Sequence, residues 1–456
     1  MPNIMNINEE DIDSFEKCSN YTVSVMECNR IGVLVARLFA DAGFRVIGVN
    51  ENPHTQKLLK KGRYPSSTKT DRTLERYAKE GIFTASLEGR RAASESDIVA
   101  VVAQITINSK KKPNYSLLEK ICKEAGMGLK RGSIVLFFNV TGVGMIEDYL
   151  SGVLEKASGL SVGKDFGLAI SPIEIDSERE SGGFSSSFKI LGAIDDASLN
   201  VAKLILSKIA RSKILTVTNI KTAEAANLFQ NAQREINQAL ANEFALLCEK
   251  LEIDFLEVIA AANKSAPYYT PLTGIVDDAV RNSVDFLLEE AENQNLDLRL
   301  MLLARRINEE IAEHIFSLVK DALKACGKTV RRAKVTVLGI SQRPNSKEPP
   351  GFLIKSIINL LNKKLRVVQV SDPFFSREEL ENFGFDGEKF SKAVERTDCI
   401  IILVRHSRFG RISLKKTKFL AKKSPAIVDI AQVIDPKKAE KSGFVYRGLG
   451  RGMWTK

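Results

Sequence analysis

The sequence predicts an α/β fold, with two doubly wound parallel sheets and a helical region containing a long helix between them. Three observations carry this prediction. Strand, turn, helix and strand follow one another within about 30 residues near the start of the chain. The same order returns after residue 333, and the stretch between has apolar residues at helical spacing. We therefore expect two Rossmann-like domains joined by a central helical domain.

The first α/β pattern opens with the apolar strand YTVSVM at residues 21–26. A helix-like run follows over residues 31–42, and Gly43 separates it from a second strand at residues 44–50. Strands that alternate with helices predict a mostly parallel sheet. Further strands are predicted at residues 97–103, 133–138, 166–170 and 189–192.

The central pattern begins near residue 222, where the apolar residues adopt helical spacing for some thirty positions. Leu228, Ile236, Leu240, Phe244 and Leu247 are predicted to share one helix face. A second helical run is predicted over residues 287–324. Helices this long often join domains or protomers.

The second α/β pattern starts with the strand AKVTVLGI at residues 333–340. Beyond it we predict a helix and three strands, at residues 352–361, 365–373, 399–404 and 426–430. The patterns divide the chain into a polar amino-terminal extension (1–20), a first α/β domain (21–215), a helical domain (216–328) and a second α/β domain (329–456).

The composition argues against several classes of protein. No run of about 18 apolar residues appears, so no membrane span is expected, and the polar start favours a cytoplasmic location. The six cysteines form no CxxC pair and the three histidines lie far apart, so no metal site is expected. The net charge is +11, but the lysines and arginines are scattered apart from short clusters such as Lys422-Lys423, and no recognition motif appears, which argues against nucleic acid as a partner.

Several ordered blocks of the sequence resemble the UDP-glucose/GDP-mannose dehydrogenase family, and the branch that makes UDP-N-acetylmannosaminuronate is most similar. The most specific block is residues 223–263. The likeness continues in residues 296–310, 333–340, 370–373, 397–409 and 443–451. The resemblance implies oxidation of the C6 alcohol of a nucleotide sugar to a carboxylate by two NAD, through a cysteine thioester. It also implies an amino-terminal NAD-binding domain, a carboxy-terminal UDP-sugar-binding domain and a dimer formed by the central helix.

The cofactor fingerprint that the resemblance implies is G-x-G-x-x-G between a strand and a helix. In this chain Glu27 and Asn29 take the first two glycine positions, and only Gly32 remains. Asn29 places a side chain where pyrophosphate is expected, whereas Arg30 is a candidate phosphate ligand. Two readings stay open: a cofactor site completed by Arg30, and a turn that keeps the fold without the ligand.

Four further positions correspond to ligand-binding residues of the family. Asn50 replaces the acidic residue that accepts the ribose hydroxyls, and Thr106 remains from the later cofactor loop. Arg343 and Lys347 keep positive charge in the nucleotide-binding loop of the second α/β domain. That loop is either a phosphate site or an exposed basic loop.

The catalytic positions are the most altered. Alignment on the flanking leucines places Ala279 at the position of the nucleophilic cysteine, and a methyl group forms no thioester. The family's lysine and asparagine pair falls on Asn227 and Asn231, so only Asn231 matches. For Asn231 a catalytic role and a hydrogen bond on or between helices are equally open.

These residues rank three hypotheses for function. The first is a catalytically impaired family member that keeps the fold, with a UDP-sugar as ligand and either a homodimer or a hetero-oligomer with an active relative. The second is an active but divergent NAD-dependent UDP-sugar dehydrogenase. The third is a basic scaffold or regulatory subunit without a ligand.

Overall fold

A computed structural model describes residues 3–64, 72–108, 112–173, 190–210, 213–265 and 270–454. The chain divides into two compact units. The first comprises Met1–Gln230 with Asn282–Asp297, and the second comprises Asn231–Arg281 with Leu298–Lys456. Each unit contains a sheet of largely parallel strands, and long helices run through the middle of the chain, which confirms the predicted fold class. The domain boundaries remain a prediction, because residues 216–328 are shared between the units.

The first unit is built on an eight-stranded sheet. Its order is β10-β9-β8-β7-β4-β1-β2-β3, and only the β8–β9 pair is antiparallel. The strand order reverses between β1 and β4, where the crevice of a doubly wound sheet forms at the strands' carboxyl ends. The strands of this sheet are β1 (Thr22–Met26), β2 (Arg45–Val49), β3 (Phe83–Ser86), β4 (Ile98–Val101), β7 (Ile134–Phe137), β8 (Gly167–Ile170), β9 (Ile190–Ala193) and β10 (Leu215–Thr216). Strands β5 (Thr106–Ile107) and β6 (Pro113–Asn114) form a separate antiparallel hairpin.

Helices connect these strands and cover the sheet. They are α1 (Phe15–Cys18), α2 (Arg30–Asp41), α3 (Pro53–Leu59), α4 (Arg72–Lys79), α5 (Gly89–Ser94), α6 (Ser116–Gly128), α7 (Ser151–Ser158) and α8 (Asp196–Ile209). The first twenty residues, expected as a polar extension, bury Ile4, Ile12 and Cys18 in the core of this unit. Ile7 is buried there as well, so the polar composition of the segment conceals four side chains that hold it against the core.

The middle of the chain forms four helices: α9 (Ile220–Lys250), α10 (Phe255–Ser265), α11 (Asp278–Asn293) and α12 (Arg299–Ala325). The helical run predicted over residues 287–324 is thus two helices. Asn295 adopts a left-handed conformation (φ 55°), and the Leu296 N–H donates to the Ala291 carbonyl at 2.8 Å. This arrangement ends α11, since asparagine tolerates the left-handed region better than most residues do. No helix in the described ranges is long and apolar enough to cross a membrane.

Helix α9 has two faces of different character. Leu228, predicted on the apolar stripe, is buried, but Leu240, Phe244 and Leu247 are 41%, 44% and 55% exposed. The face that packs inside the second unit is made instead of small residues such as Ala241 and Ala245. Ile236 is half-buried, so only the part of the predicted stripe formed by Leu240, Phe244 and Leu247, here called the α9 stripe, is left uncovered within the chain.

The second unit is built on a six-stranded sheet in which every pair is parallel. Its order is β13-β12-β11-β14-β15-β16, with the reversal between β11 and β14. The strands are β11 (Lys334–Leu338), β12 (Val367–Ser371), β13 (Asp386–Gly387), β14 (Cys399–Ile402), β15 (Ala426–Asp429) and β16 (Val445–Gly448). The helices are α13 (Phe352–Lys364), α14 (Arg377–Asn382), α15 (Phe390–Ala393), α16 (Leu414–Leu420) and α17 (Pro436–Lys441).

A buried ion pair joins α9 and α12 in the second unit. The Arg305 Nε lies 2.7 Å from Glu235 Oε1, and the two side chains are 5% and 2% exposed. Arg305 also donates to the Arg281 carbonyl at 2.6 Å, and Asn308 donates to the Glu235 carbonyl at 3.0 Å. Each charge is thus paired and hydrogen-bonded, which is the condition for tolerating charge in a core.

Removal of one partner of this pair is expected to be costly. Glu235→Leu should destabilise the second unit by about 3–5 kcal/mol, because Arg305 is left charged and buried. The double variant Glu235→Leu/Arg305→Met should lose much less. Chemical denaturation followed by fluorescence of Trp454, the only tryptophan of the chain, measures both. Arg91→Ala, which removes an exposed pair with Glu95, is the control and should change stability by under about 1 kcal/mol. Equal losses in the single and double variants would contradict the pairing.

Candidate functional site

The turn between β1 and α2 lies at the reversal point of the first sheet. Asn29 is the N-cap of α2, and its Oδ1 accepts from the backbone N–H groups of Ile31 (2.9 Å) and Gly32 (3.0 Å). Its Nδ2 donates to the Val102 carbonyl at 3.0 Å, after β4. The Asn29 side chain therefore fills the start of the helix, where a bound anion would otherwise receive these N–H groups.

The other amide groups of this turn also have acceptors. The Asn29 N–H donates to the Glu27 carbonyl at 2.7 Å. The Tyr64 hydroxyl accepts from the Arg30 N–H, and burial, aided by Glu27, raises the pKa of this tyrosine. Four consecutive amides, from Asn29 to Gly32, are thus satisfied by the chain itself.

Gly32 keeps the packing role of the third fingerprint glycine. A Cβ at this position would lie 2.7 Å from the Glu27 carbonyl oxygen, closer than real Cβ contacts. Glu27, at the first glycine position, has a φ of 60°, a left-handed conformation that costs a side-chain-bearing residue about 1–2 kcal/mol. The turn therefore keeps a glycine-like backbone although glycine is absent from its first position.

Asn50 and Glu27 contact each other across the ends of β2 and β1. The Asn50 Nδ2 donates to Glu27 Oε1 at 3.2 Å, and its Oδ1 accepts from the Asn52 N–H at 3.0 Å. Burial, and then the charge of Glu51, raise the pKa of Glu27 above its ordinary value. The side chain at the end of β2 is therefore an amide that contacts the carboxylate at the end of β1. Thr106 lies in β5 and is exposed.

Glu224 organises the loop after β7 within the first unit. It lies in the first turns of α9 and accepts from Thr141 Oγ1 (2.8 Å), the Gly144 N–H (2.6 Å) and the Ile146 N–H (3.2 Å). Burial raises its pKa to about 7, although these three donors favour the ionised form. Glu224 thus holds residues 139–144, the segment NVTGVG, in place.

Ala279 lies in the first turn of α11 in the second unit, and its side chain is exposed. Two acidic side chains precede it. Asp277 Oδ1 accepts from the Val280 N–H at 2.9 Å and caps α11, while Asp278 Oδ1 accepts from the Phe352 N–H at 3.0 Å, at the start of α13. Burial raises the pKa of Asp278.

The six cysteines offer no substitute thiolate. Five are buried, and Cys326 is half-buried. Burial raises the pKa of every one of them, which disfavours the thiolate that acts as a nucleophile.

Arg343 and Lys347 are paired with carboxylates in the second unit. Arg343 Nε lies 3.7 Å from Asp277 Oδ2 and 3.9 Å from Glu348 Oε2, and Lys347 Nζ lies 2.6 Å from Glu379 Oε1. Both side chains are mostly covered, so the prediction of an exposed basic loop is wrong. Positive charge is present there, but it is already balanced.

The two asparagines of the catalytic pair are both buried in α9. Asn227 belongs to the first unit and Asn231 to the second. Because Asn231 is buried, it does not form a hydrogen bond on an exposed helix surface. A hydrogen bond between helices and a catalytic role both stay predictions.

Three sequence models of one family match most of the chain. The NAD binding domain matches residues 21–209, the central domain residues 221–310 and the UDP binding domain residues 336–436. The chain belongs to the UDP-glucose/GDP-mannose dehydrogenase family. The predicted resemblance is thereby confirmed, and the amino-terminal α/β region is an NAD-binding domain of that family.

Individual relatives of this dehydrogenase family align along nearly the whole chain. The UDP-N-acetyl-D-mannosamine dehydrogenase of Pyrococcus horikoshii is 25% identical over 433 residues, covering 94% of this chain and 99% of the relative. Protein CapL of Staphylococcus aureus is 27% identical over 431 residues, and this alignment covers 94% of this chain and 100% of CapL. The solved UDP-D-ManNAc dehydrogenase of Pyrococcus horikoshii has a TM-score of 0.84 at 24% identity, covering 95% of this chain and 100% of that one. At this identity the structural likeness shows the fold.

The family resemblance missed three residues that shape the site. Asp277 carries a readable signal, since an aspartate just before a helical run is a common N-cap. Tyr64 and Glu224 carry none, because each reaches its partner through tertiary structure. Glu174, next to the family's carboxylate position at Ile173, lies outside the described residues.

The raised pKa of Glu224 predicts a pH-dependent contribution to stability. The pKa of Glu224 is about 7 in the folded protein and lower in the unfolded chain. Its contribution to stability is therefore fully present at a pH below the unfolded-state pKa, and it is lost as the pH rises through about 7. Wild type should therefore lose stability relative to Glu224→Gln between about pH 5 and pH 7.5. Denaturation followed by circular dichroism across this range measures the difference. For Glu80→Gln, at an exposed site, the difference in stability from wild type should be the same at every pH in this range. A difference that is also constant for Glu224→Gln would contradict the raised pKa of Glu224.

Proposed function

We propose that this chain is a catalytically impaired member of the nucleotide-sugar dehydrogenase family, one that keeps the fold and a nucleotide-sugar site but not the thioester route. The observation that carries the proposal is the nucleophile position. Ala279 occupies it, and every cysteine has a pKa raised by burial. The second oxidation of the family reaction needs a thiolate, and a methyl group provides none.

The cofactor turn supports the same proposal. Pyrophosphate binds at a helix start because free amides point toward it. Here those amides donate to Asn29, Glu27 and Tyr64, so NAD would have to displace the chain's own acceptors. The residues of this turn therefore do not fit the pyrophosphate of the cofactor, and Glu27 adds a carboxylate beside it.

The second unit supports retention of nucleotide-sugar binding. The long separations of Arg343 from Asp277 and Glu348, 3.7 and 3.9 Å, describe weak pairs that a nucleotide diphosphate can replace. Phosphate oxygens accept charge-assisted hydrogen bonds from arginine with better geometry than these carboxylates do. A UDP-sugar is the ligand we assign to this unit.

The uncovered stripe of α9 supports a role as a subunit. Leu240, Phe244 and Leu247 present a continuous apolar surface at successive turns of one helix. Such a stripe on a soluble chain is characteristic of a protein interface. A homodimer, or a hetero-oligomer with an active relative, buries it, and the chain then acts as a structural or regulatory subunit.

A second candidate is an active, divergent dehydrogenase. It is favoured by relatives named as UDP-N-acetyl-D-mannosamine dehydrogenases that align over 94% of the chain. Hydride transfer alone needs no cysteine, so this candidate includes an enzyme that stops at the aldehyde.

Ligand titration followed by thermal unfolding tests the proposal. At about 100 times its Kd, UDP-N-acetylmannosamine or UDP should raise the Tm by roughly 2–4 °C, whereas NAD should leave it unchanged. The variant Glu27→Gly/Asn29→Gly restores the glycine turn and frees the amides, so its Tm should rise with NAD. The control variant Arg91→Ala should behave as wild type.

An activity assay completes this test. Purified wild type with NAD and either UDP-N-acetylmannosamine or UDP-glucose should give no NADH absorbance. NADH formation by the wild type would overturn the proposal and favour the second candidate. If neither UDP nor either UDP-sugar changed the Tm, the protein would have no nucleotide-sugar site, and a scaffold without a ligand would be favoured.

Disruption of the α9 stripe should separate the subunits. Phe244→Glu/Leu247→Glu places charge in the proposed interface without touching the core, so light scattering should show half the wild-type mass. Leu215→Glu, at another exposed apolar side chain, serves as the control and should leave the mass unchanged. A monomeric wild type would show that the stripe has another occupant.

A further inference from the structure

The second α/β domain carries a large excess of positive charge. Residues 329–456 contain 27 Lys and Arg against 12 Asp and Glu, a net charge of +15. The whole chain has a net charge of +11, so the remainder is slightly acidic. A basic excess confined to one domain points to an anionic partner for that domain.

The charge is densest between β14 and β15. Residues 405–423 contain eight Lys and Arg, and no acidic residue lies between Asp398 and Asp429. Lys422 pairs with Asp398 at 2.6 Å, and Lys418 lies 5.7 Å from the centre of the Phe444 ring. The other six are exposed, and none forms an ion pair with a carboxylate of the described residues: Arg405, Arg408, Arg411, Lys415, Lys416 and Lys423.

An exposed aromatic side chain stands within this basic segment. Phe419, on α16, is 89% exposed, the highest value among the large apolar side chains of the described residues. Lys415 and Lys416 precede it by four and three positions, so helical geometry places them beside it on the outer face. Thr417 turns inward and is buried. We call Lys415, Lys416 and Phe419 the α16 surface.

We propose that the α16 surface attaches the protein peripherally to an anionic lipid membrane, with Phe419 entering the headgroup region. Each Lys or Arg near an acidic lipid surface strengthens binding about fivefold, so Lys415 and Lys416 together supply roughly 25-fold. An inserted phenylalanine adds about tenfold or more. Interfacial binding of a protein segment grows with the apolar area it buries and with its attraction to anionic lipids, and the α16 surface offers both.

The same surface fits nucleic acid less well. Sites for single strands stack successive bases on several aromatic side chains, with the cations along a groove. Here Phe419 is the single exposed aromatic among residues 405–423, since Phe409 is buried. Lys415 and Lys416 flank one projecting apolar side chain, which matches insertion into a lipid surface.

Vesicle co-sedimentation of the full chain tests the proposal. Vesicles with about 30% phosphatidylserine in phosphatidylcholine should bind the protein at low salt and release it at about 0.5 M salt, and pure phosphatidylcholine should not bind it. Lys415→Glu/Lys416→Glu should weaken binding at least about 25-fold, and Phe419→Ser about tenfold. The matched control Lys363→Glu/Lys364→Glu, on exposed α13 positions of the same unit, should weaken it far less.

The remaining outcomes overturn the proposal. They are no binding to the phosphatidylserine vesicles, equal binding to neutral vesicles, binding that Phe419→Ser leaves unchanged, and binding that the control variant weakens as much as Lys415→Glu/Lys416→Glu does. A fluorescent oligothymidylate that binds more tightly than the vesicles, and loses affinity in the same variants, would assign the surface to nucleic acid instead. Unchanged thermal unfolding of each variant establishes that folding is intact.

Discussion

The first amides of a helix have no partner within the helix, so something else must accept their hydrogen bonds. In a dinucleotide-binding turn of glycines, the ligand's pyrophosphate is that acceptor. In this chain Asn29 and Tyr64 are the acceptors at the start of α2. Side chains of this protein thus supply the acceptors that pyrophosphate supplies in the glycine pattern. Glu27 beside them is left-handed and contacts Asn50.

The second unit meets the same requirement in the same way. Asp277 caps α11 two residues before Ala279, and its Oδ2 also lies 3.7 Å from Arg343 Nε. Asp278 accepts from the first amide of α13, and Glu379 neutralises Lys347. Carboxylates of the chain thus satisfy these helix amides and pair with Arg343 and Lys347.

The sequence predicts the fold well because alternation of strands and helices is a local signal that survives changes in the site. The break at Asn295 was missed, since periodicity continues across it and only the backbone conformation ends the helix. Motif spacing identifies the altered positions Asn29 and Ala279. It does not predict which side chains surround them. Tyr64 meets Arg30 through the path of the chain, and Glu224 meets Gly144 some 80 residues away in sequence. Such tertiary contacts leave no local pattern.

Hydrogen exchange at the start of α2 tests the central claim most directly. Protection of the amides of Arg30, Ile31 and Gly32 is measured with and without millimolar NAD. If Asn29 and Tyr64 already hold these groups, the amides are protected in the free protein, and NAD leaves their exchange unchanged. Rapid exchange in the free protein that slows when NAD is added would contradict the account, because the cofactor would then be the acceptor that the turn lacks.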